Sequence, residues 1–262
     1  MVVSEFLVCM RLRSRGNVDK ERTVLATLKA SLSHHDHLVP GFATVTSETK
    51  YTILFEKTKF TLEQLLSGRM DALPLSDLMA EFTGVADALA FMHERISGGP
   101  PHCHMDLNPA NIQIIQSGTN PVGQWKWKIT GFGLSVTSGS KAWTSDDGEY
   151  AGPNKRFHAP ELYRRFKCCP QSDNARMFDA AGGRDSDDVV LRTLLAQDWL
   201  TDLPGEAPPQ LSPAVCGWIR DLLLSAVQVS MRRRPTAREM HRSLVVIQQA
   251  LQVQASDGEC AA

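Results

Sequence analysis

The chain has 262 residues, 42% of them hydrophobic and 22% charged, enough to bury one sizeable core in a single domain or in one domain of two lobes. Its 28 Lys and Arg against 29 Asp and Glu leave a formal net charge of -1, so the overall balance gives no reason to expect a nucleic acid or a membrane surface as partner. Six cysteines without a CxxC pair (Cys9, Cys103, Cys168, Cys169, Cys216, Cys260) suit a reducing compartment better than a disulfide framework or a zinc site, which points to the cytoplasm or the nucleus.

Residues 1–10 are apolar but too short to cross a bilayer and lack a basic start, so a buried strand over 6–12 is expected rather than a signal or an anchor. A turn at Arg15-Gly16-Asn17 leads into a helical pattern over 19–32, whose Leu25, Leu28 and Leu32 share one face. Residues 38–45 and 51–55 read as two strands joined by the polar Ser47-Glu48-Thr49-Lys50 turn. The first 56 residues are thus mostly sheet with one helix.

After Glu56-Lys57-Thr58 the pattern turns helical, most clearly where Leu78, Phe82, Val85, Leu89 and Met92 recur at steps of four and three, a core stripe. The helix is expected to reach about Glu94 before Gly98-Gly99-Pro100-Pro101 ends it. A His-containing loop stiffened by Pro109 follows, with the carboxylate of Asp106 and the amide of Asn111 five residues apart. Residues 112–115 and 125–129 flank a Gly/Asn/Pro turn and predict a hairpin beneath that loop. From 131 to 155 the chain is rich in Ser, Thr, Gly and Asp, the composition of a long solvated loop. Helices are expected over 159–166, 216–227 and 236–253, the last with Met240, Leu244, Ile247 and Leu251 on one side. Residues 255–262 read as a polar tail, and there is no internal repeat.

Six landmarks in this order resemble a eukaryotic protein kinase domain of the Ser/Thr type, from its third strand to its last helix. They are Glu21 in the first helix, His104-Met105-Asp106 leading to Asn111, Gly131-Phe132-Gly133 after a strand, Ala159-Pro160-Glu161, Ser172-Asp173, and Arg234-Pro235-Thr236. The resemblance implies an α+β, two-lobed protein-kinase-like fold with an incomplete small β lobe and a mainly helical large lobe. Residues 1–56 would be the remnant of the small lobe, 57–254 the large lobe, and 255–262 a disordered tail.

The resemblance also implies roles. Asp106 would be the base that accepts the proton of a substrate hydroxyl, and Asn111 would offer an amide oxygen to magnesium, which takes oxygen ligands. His104 would pack under Asp106 beside Phe132, and Glu161 would pair with Arg234 as a structural ion pair. Asp173 would accept backbone bonds from the catalytic loop, and Glu21, Asn108 and Phe132 would border the nucleotide. The implied cofactors are ATP and magnesium, and the implied partner is a protein, with no nucleic acid and no membrane. The family places a His-containing turn where His34-His35-Asp36-His37 stands, which favours a structural turn over a metal cluster there. His102, Cys103 and His104 alternate too tightly for metal ligation without a fourth ligand.

Several departures weigh against turnover. Gly131 replaces the Asp that carries magnesium, Met10 stands where the third-strand Lys belongs, and Asn108 replaces the Lys two residues beyond the base. No GxGxxG phosphate loop occurs, and Gly152-Pro153-Asn154 with Phe157 replaces the family's Gly-Thr-x-x-Tyr. Residues 172–188 carry seven charges where the family has a buried apolar helix. Loss of one charge-stabilising donor costs about two to three orders of magnitude in rate, so three losses together predict a pseudokinase with impaired ATP and magnesium binding, acting as a binding or regulatory module. In that case Asp106 and Asn111 serve as hydrogen-bonding groups that hold the loop. The alternatives are an active Ser/Thr kinase using Asp106 as base, with Arg11 or Asp146 supplying a missing charge, and a small-molecule phosphotransferase of similar fold, which Ala159-Pro160-Glu161 and Arg234-Pro235-Thr236 oppose.

Overall fold

The computed structural model describes residues 8–11, 35–39, 41–46, 51–55, 58–66, 75–94, 102–116, 125–132, 135–137, 212–226 and 233–259. The expected helices over 19–32 and 159–166, and the charged stretch over 172–188, lie outside these residues.

Strands β1 (Val8–Arg11), β2 (Gly41–Thr46) and β3 (Tyr51–Phe55) form an antiparallel sheet in the order β1-β3-β2, with a register irregularity between Gly41 and Ala43. The strand expected from residue 38 begins instead at Gly41. Pro40 brings no N–H to a ladder, and Leu38 leaves the sheet to form a parallel bridge with Ile129. There the Val39 N–H donates to the Ile129 carbonyl at 3.0 Å and the Ile129 N–H to the His37 carbonyl at 2.8 Å.

Beyond this, β4 (Phe60–Thr61) runs straight into α1 (Leu62–Leu66). Thr61 and Gln64 cap the helix reciprocally: the Gln64 N–H donates to Thr61 Oγ1 at 3.2 Å and the Thr61 N–H to Gln64 Oε1 at 2.9 Å. Strand β4 pairs with β6 (Ile112–Gln116), and β6 with β7 (Trp125–Ile129), all antiparallel.

The longest element before the loop is α2 (Leu75–Glu94). Val85, Leu89 and Met92 of its predicted stripe are fully buried, while Leu78 and Phe82 are partly so. Ala86, Ala88 and Ala90 are buried as well, and α4 (Ala237–Glu259) packs along the helix. Helix α3 (Pro213–Ala226) begins three residues before its predicted start, since Ser212 Oγ accepts from the Val215 N–H at 3.4 Å and Pro213 fits a first-turn position. Helix α4 is opened by Thr236 and Glu239. It continues to Glu259, past residue 254 where a disordered tail was expected. No helix breaker stands before Gly258, so the backbone ladder propagates through the polar residues.

A polar seam ties the elements. Arg238 of α4 donates to Asp87 at 3.2 Å and Glu94 at 3.1 Å, and His35 Nε2 lies 3.3 Å from Asp87. Burial pushes the Asp87 carboxyl up, but His241, His35 and Arg238 outweigh it and hold it below the usual carboxylate range. His37 sits over Gly84 of α2 and donates from Nδ1 to the Trp127 carbonyl at 2.8 Å, while the Trp127 N–H donates to Glu81 at 2.6 Å. Burial and Lys126 lower the His37 pKa to about 4, and burial pushes Glu81 up. His35 and His37 thus have partners within the protein, in keeping with the structural-turn reading.

Candidate functional site

The loop between β5 (His102–Cys103) and β6 owes its shape to its own short polar side chains. Pro109 opens a 3-10 turn over Pro109–Asn111, with φ preset for a first helical position. Asn108 caps that turn: its backbone is extended and its Oδ1 accepts from the Ala110 N–H at 3.0 Å. The Asn111 N–H closes the turn on the Asn108 carbonyl at 2.9 Å. Upstream, Met105 has φ 65, a left-handed conformation that a non-glycine residue holds only under surrounding constraint, and its side chain is fully buried.

His104 supplies part of that constraint. Its Nδ1 accepts from the Asp106 N–H at 3.2 Å, so Nε2 carries the proton and donates to the Thr130 carbonyl at 2.8 Å. The ring lies 5.2 Å from that of Phe132, which is completely buried. Ser135 Oγ donates to the His104 carbonyl at 3.2 Å. With both ring nitrogens engaged in the protein, His104 has none left for a metal.

Asp106, Asn108 and Asn111 converge at the loop's centre. Asn111 Nδ2 donates to the Asp106 carbonyl at 2.7 Å and to its Oδ2 at 2.9 Å. Asn108 Nδ2 donates to the same carbonyl at 2.9 Å and to Asp106 Oδ1 at 3.3 Å. Each carboxylate oxygen therefore holds an amide donor and keeps about one further lone-pair direction. Asp106 is half-buried, so that direction is reachable from solvent. Gly131, with φ 81, has no room for a side chain beside the Asn111 amide, and the Thr130 N–H donates to the Asn111 carbonyl at 2.9 Å.

The chain after Phe132 is held as well. Strand β8 (Val136–Thr137) pairs with β5, matching His102 with Thr137 and Cys103 with Val136. Ser135 is buried, which corrects the reading of this stretch as solvated loop at its first residues. A polar composition conceals such a strand, because two residues carry no measurable alternation. Of the residues singled out from the sequence, His104, Asp106, Asn108, Asn111 and Phe132 come together here. Glu21, Glu161 and Asp173 lie outside the described residues. Arg234 stands apart, before α4, and is 4% exposed.

Among the described residues no three His, Cys, Asp or Glu are grouped to hold a metal ion. Among the described residues the side-chain oxygens of this loop belong to Asp106, Asn108 and Asn111, and the Asn111 amide already occupies the space where a side chain at 131 would begin. The residues present do not fit a magnesium ion.

A family model for protein tyrosine and serine/threonine kinases matches residues 11–175, more than half of the chain. No curated protein matches it.

Proposed function

The chain belongs to the protein tyrosine and serine/threonine kinase family, and from that premise we propose that it is a pseudokinase, a kinase-fold module that binds or regulates a protein partner and transfers phosphate weakly or not at all. The family uses ATP and magnesium and acts through protein substrates or partners. What carries the reading is Gly131: the position that should bring a carboxylate to the metal has no side chain, and the Asn111 amide lies against it. Asn108 supports it, since a neutral amide bound to Asp106 replaces the cation that would stand by the transferring phosphoryl group.

In this reading residues 1–56 are the remnant of the small lobe and 57–254 the large lobe. Met10, on β1, takes the place of the phosphate-binding Lys. The module works in the cytoplasm or the nucleus; no helix among the described residues is long and apolar enough to cross a membrane. Incubation with labelled ATP, magnesium and generic protein substrates tests the proposal: no transfer is expected, and transfer that disappears in Asp106→Ala overturns it. A second reading, an active Ser/Thr kinase, draws on the half-buried Asp106, whose carboxylate keeps a lone-pair direction for a hydroxyl. It calls for a rise in melting temperature with ATP and magnesium together.

A further inference from the structure

The misfit between this loop and a magnesium ion has a definite shape. A Cβ built on Gly131 would stand 2.6 Å from Asn111 Oδ1, 2.7 Å from its Cγ and 3.0 Å from its Nδ2. The amide is not a flexible end that swings aside, because Nδ2 holds both the carbonyl and the carboxylate of Asp106 and the Asn111 backbone is bonded on both sides. Its oxygen, the atom a hard cation would take, lies nearest of all to where that Cβ would stand.

We infer that Asn111 is a positioning residue rather than a metal ligand, and that Gly131 is its obligatory partner. The missing side chain at 131 leaves the space in which the Asn111 amide fastens Asp106, so the loop keeps its shape without a cation. The inference rests on the pseudokinase reading and sharpens it: Gly131 is a built part of the loop as well as a lost carboxylate, and restoring Asp there alone does not restore a metal site.

A double-substitution cycle tests the pairing. Gly131→Ala should lower the melting temperature by about 6–10 °C, combining the strain of a side chain at positive φ with collision against Asn111. In an Asn111→Ala background the collision is gone and only the strain remains, so the same change should cost about half as much. Gly131→Asp with Asn111 in place should show no magnesium-dependent rise in melting temperature. A second readout leaves residue 131 alone: in Asn111→Ala, amide exchange across 104–111 should speed by about tenfold, equally with and without magnesium chloride. Equal losses for Gly131→Ala in both backgrounds, a magnesium-stabilised Gly131→Asp, or unchanged exchange in Asn111→Ala would overturn the inference and leave the pseudokinase reading standing. Asp106-dependent phosphate transfer by the natural chain would instead remove the reading beneath it.

Discussion

Gly84 sits in the middle of α2, where replacing glycine with alanine ordinarily stabilises a helix by about 1 kcal/mol. Here the opposite sign is expected. A Cβ at this position would collide with Cε1, Nε2 and Cδ2 of His37, so the ring must move. It has little room, being 8% exposed and fixed by its bond to the Trp127 carbonyl. Overpacking a tight site costs about 1–3 kcal/mol, and leaving a buried polar group unpaired about 1–3 kcal/mol more. Against the helical gain, the net is a loss of about 1–5 kcal/mol, or a fall in melting temperature of about 3–15 °C for a chain of this size. Thermal melts of Gly84→Ala followed by circular dichroism measure it. The decisive comparison is His37→Ala, in which the same glycine change should regain its stabilising sign of about 0.5–1 kcal/mol. A Gly84→Ala protein that melts at or above the natural chain with His37 present refutes the reasoning.

The same histidine makes stability depend on pH. Its pKa is lowered from 6.5 to about 4 by folding, so the unfolded state binds more protons between those values and stability rises with pH across the window. Acidifying from 6.5 to 4 should withdraw about 3 kcal/mol. Glu81, whose raised pKa favours the folded state as pH falls through it, offsets part of this. His37→Asn, which keeps a donor for the Trp127 carbonyl, should flatten that limb in urea titrations at several pH values; an unaltered limb counts against the assignment. Arg238→Ala should cost about 1–3 kcal/mol by urea denaturation, since Asp87 and Glu94 lose a guanidinium that is only 15% exposed; a loss below about 0.5 kcal/mol would make the seam an ordinary surface pair. Thr236→Ala, which breaks the reciprocal cap with Glu239, should cost about 1 kcal/mol in the same assay, and Glu239→Gln should lose less because it retains an acceptor. Equal losses in the two variants would argue against the cap geometry.

The parts of the fold legible in the sequence were those whose physics is local. Helix α2 announced itself through a 3.6-residue apolar period, β6 and β7 through two runs around a Gly/Asn/Pro turn, and the catalytic-type loop through Asp106, Pro109 and Asn111. What escaped depends on residues far apart in the chain. That Leu38 belongs to Ile129 rather than to the strand after it, or that Gly84 exists to receive His37, follows from no window of the sequence, because each partner carries only half of the pattern. Gly131 was visible as a substitution, but its φ of 81 and its fit to Asn111 are properties of the folded backbone. Likewise β8 and the buried Ser135 sit in a run of polar residues, where composition suggests solvent and pairing with β5 decides otherwise.

The segment 35–39 has a consequence for any attempt to divide the molecule. It lies within the first 56 residues, yet Leu38 is part of the core built by α2, β6, β7 and α4, His37 fills the hollow over Gly84, and Val39 and His37 share backbone bonds with Ile129. A fragment starting at residue 57 would carry an open trough along α2 and β7, with the Trp127 and Ile129 carbonyls and the Ile129 N–H stripped of their partners. The place where the chain changes from strand to helix is therefore not a place where it separates. Five residues ahead of that change plug the core that follows it, and fragments meant to fold alone need to begin ahead of His35.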